Sequence, residues 1–336
     1  MTTITRRTLL AQWGATAAAC ASPFVATAQQ ATMKVACATI NDGQHEWMKM
    51  FKTRVETATS GRLKVDIFPA SQLGPIPRMI EGLQLGTIEA FVSPTDFFVG
   101  VDPRFMIYGV PGVFRSRTHA SSTLHDKAVR EPLMSLAAAR GIQGLSAFVL
   151  GTPAYLARKP IRTLEDFKGQ KLRINASEVE REAMERLGAS ATPMPLSEVI
   201  PALQTGVIGG TRSVPAVYVN FKYQDLAKVM TVTEDSYLVS YAAVSAMWLA
   251  RQPEEIRKVV VEEAKAMEPE IQAWSNAYED RMFEQWKQVG GEVVRLAAAD
   301  QAELMRRMKG VGEKVAKDRL PLKTEYDRLL ATAASK

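Results

Sequence analysis

Hydrophobic and polar positions along this chain predict a repeating order of strand, helix and strand. Met33 to Thr39 is apolar enough for a strand. Gln44 to Ser60 carries Trp47, Met50, Phe51 and Val55 at helical spacing, and Gly61 stands where a terminating glycine belongs. Leu63 to Ile67 alternates as a half-buried strand. A turn at Gly74-Pro75 leads to a helix from Arg78 to Leu85, a stop at Gly86 and a strand from Thr87 to Ser93. The order resumes with a helix near Ser121 to Ala139, strands around Leu145 to Leu150 and Ala154 to Arg158, and a short strand holding Arg173 between Leu172 and Ile174. A helix from Glu178 to Leu187 ends at Gly188, and Ser197 caps another that ends at Gly206. Such alternation predicts an α/β protein with parallel strands and crossover helices. Tyr237 to Ala250 reads as one or two buried strands. From Pro253 the chain is mostly helical, with one long helix kinked near Pro269 and an aromatic stripe, including Trp274 and Trp286, packed into the core.

The segments Gly82–Ser93 and Ala202–Ser213 share Leu-Gln-x-Gly-x-Ile and a closing serine, in register, 120 positions apart. Each is a helix, a glycine stop and a strand. The echo predicts two related lobes in which Ser93 and Ser213 end equivalent strands. Ligands in open α/β sheets bind beyond the carboxyl ends of strands, so both serines are expected to face the crevice between the lobes.

The first residues change where the protein is expected to work. Thr5-Arg6-Arg7-Thr8 followed by an Ala-rich run and Ala26-Thr27-Ala28 has the form of a removable twin-arginine export signal, residues 1–28, which implies a periplasmic location. If it is removed, Cys37 is the only cysteine left, so no internal disulfide is expected. With 46% hydrophobic and 23% charged residues the chain is ordinary globular protein, and what remains after the signal is long enough for about two domains. The formal charge of +6 is mild and dispersed, which excludes a nucleic-acid surface and suits a small anionic ligand. No further segment is long and apolar enough to span a membrane.

Arg173 carries the candidate chemistry. A purely structural strand would hold Val or Ile there, whereas a guanidinium presents a fixed fork that matches a carboxylate with two parallel hydrogen bonds. The competing reading is a structural ion pair. Motifs for catalysis are absent: there is no P-loop, no complete dinucleotide fingerprint, no Gly-x-Ser-x-Gly elbow and no His-Glu-x-x-His. His45, His119 and His125 have no nucleophile or metal-ligand spacing and read as solvated loop or helix residues. The chain is therefore expected to bind rather than to catalyse.

Four segments then carry a resemblance: Gly61-Arg-Leu-Lys-Val-Asp-Ile-Phe-Pro-Ala-Ser-Gln-Leu-Gly74, Met79-Ile-Glu-Gly-Leu-Gln-Leu-Gly-Thr-Ile88, Lys159 to Arg173, and Ser197-Glu-Val-Ile-Pro-Ala-Leu-Gln-Thr-Gly206. In this order, across about Met33 to Arg328, the chain resembles the substrate-binding component of tripartite ATP-independent periplasmic (TRAP) transporters, the DctP-type family. The resemblance implies a two-lobe fold like other periplasmic binding proteins, each lobe a mixed, mainly parallel sheet flanked by helices, with a long C-terminal helix linking the lobes. The expected boundaries are residues 31–155 plus 239–278 for lobe I and 156–238 plus 279–336 for lobe II. It also implies capture of a small organic acid, delivery to the small and large subunits of a membrane permease, and no cofactor.

The resemblance makes Arg173 the holder of the ligand carboxylate. Lys159 falls where some members place a second cation, Leu196 where an aromatic wall residue is common, and Ser213 where an asparagine often bonds the ligand. Arg212 stands where relatives often have a glutamate that helps hold a metal ion, so no bridging metal is expected, and Arg212 either meets a second carboxylate or pairs with an acidic neighbour outside the cleft. Pro94 replaces an acidic contact of some sugar-acid binders. Thr39, Ser93 and Thr95, at or just past strand ends, complete the candidate set. Two other functions stay open: a ligand-presenting subunit for a membrane sensor, and a periplasmic enzyme on the same scaffold. The enzyme would need an acid-base pair in the cleft, for which Asp96 and Glu234 are candidates in no recognisable motif.

Overall fold

The computed structural model describes residues 30–336; the predicted export signal, residues 1–28, lies outside the described residues. Strands β1 (Ala31–Cys37), β2 (Leu63–Phe68), β3 (Ala90–Pro94) and β4 (Ile142–Gly151) precede β5 (Ala154–Ala157), β6 (Lys171–Ile174), β7 (Ser190–Pro193) and β8 (Gly210–Ser213). Then come β9 (Val229–Val232), β10 (Leu238–Ser245) and β11 (Glu292–Arg295). They form a five-stranded sheet, β2-β1-β3-β10-β4, and a six-stranded sheet, β11-β9-β5-β8-β6-β7. Each defines one lobe.

The two sheets repeat one plan. β1 lies parallel between β2 and β3, and β6 lies parallel between β7 and β8. Beyond this parallel triplet each sheet adds an antiparallel strand, β10 beside β3 and β5 beside β8, and then a further antiparallel partner. The strand added to each lobe is the one the chain enters just after crossing from the other, through Thr152-Pro153 in one direction and residues 233–237 in the other. β3 and β8 are the strands of the sequence echo. Before each, a helix (Ile76–Leu85 or Leu196–Gln204) is followed by a glycine at positive φ, Gly86 at 71° and Gly206 at 76°.

Local chemistry explains the elements that frame the crevice. Asp42 caps the Gly43–Ala58 helix by accepting the Gln44 and His45 N–H groups at 3.0 and 3.1 Å, and Trp47, Phe51 and Val55 bury its inner face. Ser177 likewise caps the Glu178–Arg186 helix. The Leu196–Gln204 helix starts one residue before the expected Ser197 cap, after Pro195.

Several expectations are refined. The kinked helix is two helices, Glu254–Ala266 and Glu268–Gln288, interrupted at Met267, because Pro269 starts a new first turn better than it continues an old one. Ser121 to Ala139 divides into Arg117–Leu124 and Lys127–Ser135, each with its own cap, Ser116 and Asp126. Only Leu238–Ser245 of the Tyr237–Ala250 stretch is strand, and Ala246–Ala250 is helical. His45 and His119 are buried instead of solvated, each Nδ1 accepting a backbone N–H at 3.0 Å, from Asn41 and Arg115.

The Glu268–Gln288 helix ties the lobes together. Gln272 Oε1 accepts the Val149 N–H of β4 at 2.8 Å, while Trp286 Nε1 donates to Lys228 O and Glu292 O, both at 3.2 Å, beside β9 and β11. Between them Glu279 accepts the Thr152 N–H at the crossing and pairs with Arg117 at 2.6 Å. The expected boundaries give residues 279–336 to lobe II, yet the Leu320–Ala334 helix packs on lobe I, where His119 Nε2 meets Ala333 O at 2.8 Å and Lys336 meets Asp126 at 2.8 Å. Among the described residues no helix is long and apolar enough to cross a membrane.

Close backbone approach gives one stability prediction. A Cβ on Gly210 would sit 2.7 Å from Ala157 Cβ and 2.8 Å from Leu156 O, whereas on Gly209 its nearest neighbours are 3.6 Å away. Gly210→Ala is expected to cost about 1–3 kcal/mol and Gly209→Ala under about 1 kcal/mol, read from urea midpoints.

Candidate functional site

The carboxyl ends of β1, β3, β6 and β8 converge on a cavity between the lobes with an empty volume of about 340 Å³. Lobe II lines it with Arg173, Asn175, Ser213, Leu196, Val214 and Val217. From lobe I come the polar side chains of Thr39 and Gln44 and an apolar surface of Ile76, Pro94, Phe97, Leu150 and Leu238. The lobes meet around it. Asn175 Nδ2 donates to Asp96 Oδ2 across the gap at 3.3 Å, the Arg173 guanidinium lies 5.8 Å from the centre of the Phe97 ring, and Asn220 Nδ2 donates to Ile40 O and Asn41 O at 2.9 and 3.0 Å.

Arg173 is 1% exposed. Its Nε and Nη2 donate to Met194 O at 3.0 and 2.8 Å, and its Nη1 donates to Arg212 O at 3.3 Å. Those bonds use three of the five guanidinium N–H groups and leave one on each terminal nitrogen, the number a carboxylate takes. Among the described residues no carboxylate pairs with it. Burial pulls its pKa below the ordinary arginine value, opposed by the more distant charge of Glu180. A buried cation whose bonds go only to carbonyls, at the edge of a cavity, has the free donors and the charge to accept an anion.

Arg212 has the opposite surroundings. It pairs with Glu180 at 2.6 Å, lies 3.9 Å from Asp235, bonds Ser236 and faces the Tyr155 ring at 5.8 Å. Burial works against its charge, but Tyr155, Glu180 and Asp235 outweigh that and hold its pKa above the ordinary value. Its charge is spent inside lobe II, so the expectation that it meets a second ligand carboxylate is corrected. The alternating pleat of β8 separates Arg212 from its neighbour Ser213, which does line the cavity.

Lys159 is corrected too. β5 runs antiparallel to β8, with Ala154 opposite Ser213 and Ala157 opposite Gly210, so the residues after β5 leave from the sheet edge remote from the crevice, and Lys159 is exposed there. Leu196 and Thr39 line the cavity; Thr39 also donates to Asp42 at 2.8 Å. Ser93 and Thr95 are buried but do not line it. Ser93 lies on the strand equivalent to that of Ser213 but one position before its end, and it is Pro94, the last residue of β3, that reaches the crevice. Asp96 and Glu234 form no pair: Asp96 sits buried against Asn175, while Glu234 is exposed beside Arg295 at 3.3 Å.

A model of the family described as "Bacterial extracellular solute-binding protein, family 7", DctP, matches residues 35–318. The chain belongs to this family. It is a family of solute-binding transport proteins, not of enzymes. A 2,3-diketo-L-gulonate-binding periplasmic protein of Escherichia coli is 29% identical over 278 residues, 82% of this chain and 78% of that protein. A C4-dicarboxylate-binding periplasmic protein of Rhodobacter capsulatus is 32% identical over 244 residues, 72% of each chain. A TRAP periplasmic solute-binding protein from Desulfovibrio salexigens, solved with bound orotic acid, superposes with a TM-score of 0.82 at 26% identity over 90% of this chain and 99% of that one. The two-lobe fold of this DctP chain is thus that of known TRAP binding proteins.

Residue reading missed Gln44, Phe97 and Asn175. Asn175 closes the stretch that holds Arg173 and is the first residue past β6, where strand-end logic points. Gln44 and Phe97 had no such signal, because a helix start and a short 3-10 turn only face the crevice once the lobes are placed.

Two predictions follow from the charges. Arg212→Met leaves Glu180 buried without its partner and is expected to lower stability by about 3–5 kcal/mol, whereas Glu234→Gln at the exposed pair changes it by less than about 1 kcal/mol in the same denaturation assay. Asp96 has its pKa pushed from 3.8 up to about 7, first by burial and then by Glu180. The folded state therefore binds more protons than the unfolded state in that window, so Asp96 makes stability fall as pH rises from 3.8 to about 7. Asp42, raised to about 6 by burial, acts with the same sign and remains in the variant. Asp96→Asn is expected to lose less stability than the parent between pH 5 and pH 8, measured by urea titration.

Proposed function

We propose that this chain is the extracytoplasmic ligand-capturing subunit of a TRAP transporter, exported by its twin-arginine signal to the periplasm. There it holds a small organic acid by the carboxylate on Arg173, closes its lobes and hands the ligand to the small and large subunits of the permease. One observation carries the reading. Arg173 is a buried cation with no acidic partner among the described residues, facing an interlobe cavity with two N–H donors left. The names of the relatives support it, since diketo-gulonate, C4-dicarboxylate and orotic acid all offer carboxylates.

Magnitudes explain why capture needs closure. A charge-assisted hydrogen bond is worth about 1.5–3 kcal/mol net, while micromolar affinity requires about 8 kcal/mol. Lobe I supplies the remainder by excluding water and covering the ligand's carbon body with Ile76, Phe97 and Leu150. Ser213 adds a neutral hydrogen-bonding group and Leu196 a wall.

Arg173→Ala is expected to weaken organic-acid binding at least about 100-fold by calorimetry. The melting midpoint of the ligand-free protein should stay within about 4 °C of the parent. A large loss of stability with affinity intact would instead make Arg173 a structural residue.

A further inference from the structure

We propose that the cavity selects a monocarboxylate whose apolar carbon body bears one neutral hydroxyl, in preference to dicarboxylates and polyhydroxy sugar acids. This rests on Arg173 holding the ligand carboxylate and adds what the remaining walls select. The first ground is charge. Arg173 is the one cation among the described residues that lines the cavity. Arg212 is neutralised by Glu180, and Lys159 lies on the far edge of the sheet. A second carboxylate would have no partner.

Two carboxyl groups also stand just behind the cavity walls. Asp42 stands behind Thr39, bonded to its hydroxyl at 2.8 Å, and Asp96 stands behind Asn175 at 3.3 Å, both at least 98% buried. The N-terminus of the Gly43–Ala58 helix, aimed at the cavity from lobe I, could otherwise attract an anion, but Asp42 already occupies its N–H groups. Lobe I therefore offers no counter-charge to the end of the ligand that points away from Arg173.

Polarity is the second ground. Ile76, Pro94, Phe97, Leu150 and Leu238 on one side, with Leu196, Val214 and Val217 on the other, form a surface that cannot bond a chain of hydroxyls. Each hydroxyl buried there would lose its water without replacement. Gln44 is the exception. It is 1% exposed, lines the cavity, and its side-chain oxygen has no partner among the described residues. A hydroxyl both donates and accepts, so one such group satisfies either end of the amide.

Calorimetry on the intact mature chain with four probes tests this: 2-hydroxy-3-methylbutanoate, 3-methylbutanoate, malate and gluconate. The branched hydroxy acid is expected to bind at least about 100-fold more tightly than malate or gluconate, and about tenfold more tightly than the parent without the hydroxyl. Gln44→Leu should erase that tenfold preference while the parent acid still binds. Malate or gluconate binding as tightly as the hydroxy acid, with all binding lost in Arg173→Ala, would overturn the selectivity and leave the carboxylate reading intact. Binding that survives Arg173→Ala, or no binding of any of the four acids by the parent protein, would overturn the proposal, and the former would also remove the carboxylate reading beneath it. The comparison on the parent protein decides charge and polarity even if the Gln44 variant fails to fold.

Discussion

A guanidinium buried between two lobes without a counter-charge is a liability that a bound anion removes. Arg173 bonds only to the carbonyls of Met194 and Arg212, and closing lobe I over it takes away the water that would otherwise solvate it. Leaving a charge buried and unpaired costs several kcal/mol, so the closed arrangement is poor without an anion and favourable with one. Ligand capture and lobe closure become a single equilibrium. A ligand moves such an equilibrium only through its differential affinity for the two states, and the buried cation supplies that difference.

The fold makes this possible by repeating one sheet plan and then breaking its symmetry at one position. Val35 and Ala36 of β1 pair with Ala90 and Phe91 of β3, as Leu172 and Arg173 of β6 pair with Gly210 and Thr211 of β8. With the two echo segments in register, Ala36 is the lobe I counterpart of Arg173. Lobe II thus carries the charge and lobe I an apolar cover. Two short crossings and the Glu268–Gln288 helix join them, with Glu279 bonded at once to the Thr152 crossing and to Arg117. Few covalent links and one shared helix suit a hinge between otherwise independent cores.

Arg173 and Arg212 show how little the residue type alone says. They sit on adjacent strands, both buried, with the Arg212 carbonyl accepting a bond from Arg173. Arg212 meets Glu180 and Asp235, so its charge is balanced within lobe II and serves the packing of that lobe. Arg173 meets no acid among the described residues, so its charge is not balanced within the lobe. The difference is one of partners, which belong to other elements.

What the chain determined by itself was local and periodic: the order of strands and helices, the glycine stops, the echo between Gly82–Ser93 and Ala202–Ser213, and the arginine in a short strand ahead of a helix. Backbone sterics and side-chain periodicity act over a few residues and can be read there. The resemblance across four segments extended this to the two-lobe plan and to Leu196 and Ser213 as candidates, and strand ends added Thr39. Only the tertiary structure decided that Lys159 leaves from the wrong edge, that Arg212 is consumed by Glu180, that Pro94 and not Ser93 reaches the crevice, and that Gln44, Phe97 and Asn175 join the site. Each of these depends on which strand lies antiparallel to which, or on what a second lobe brings within hydrogen-bond reach. Such contacts join residues tens to hundreds of positions apart, and a side chain's role is set by the partner it meets across that distance.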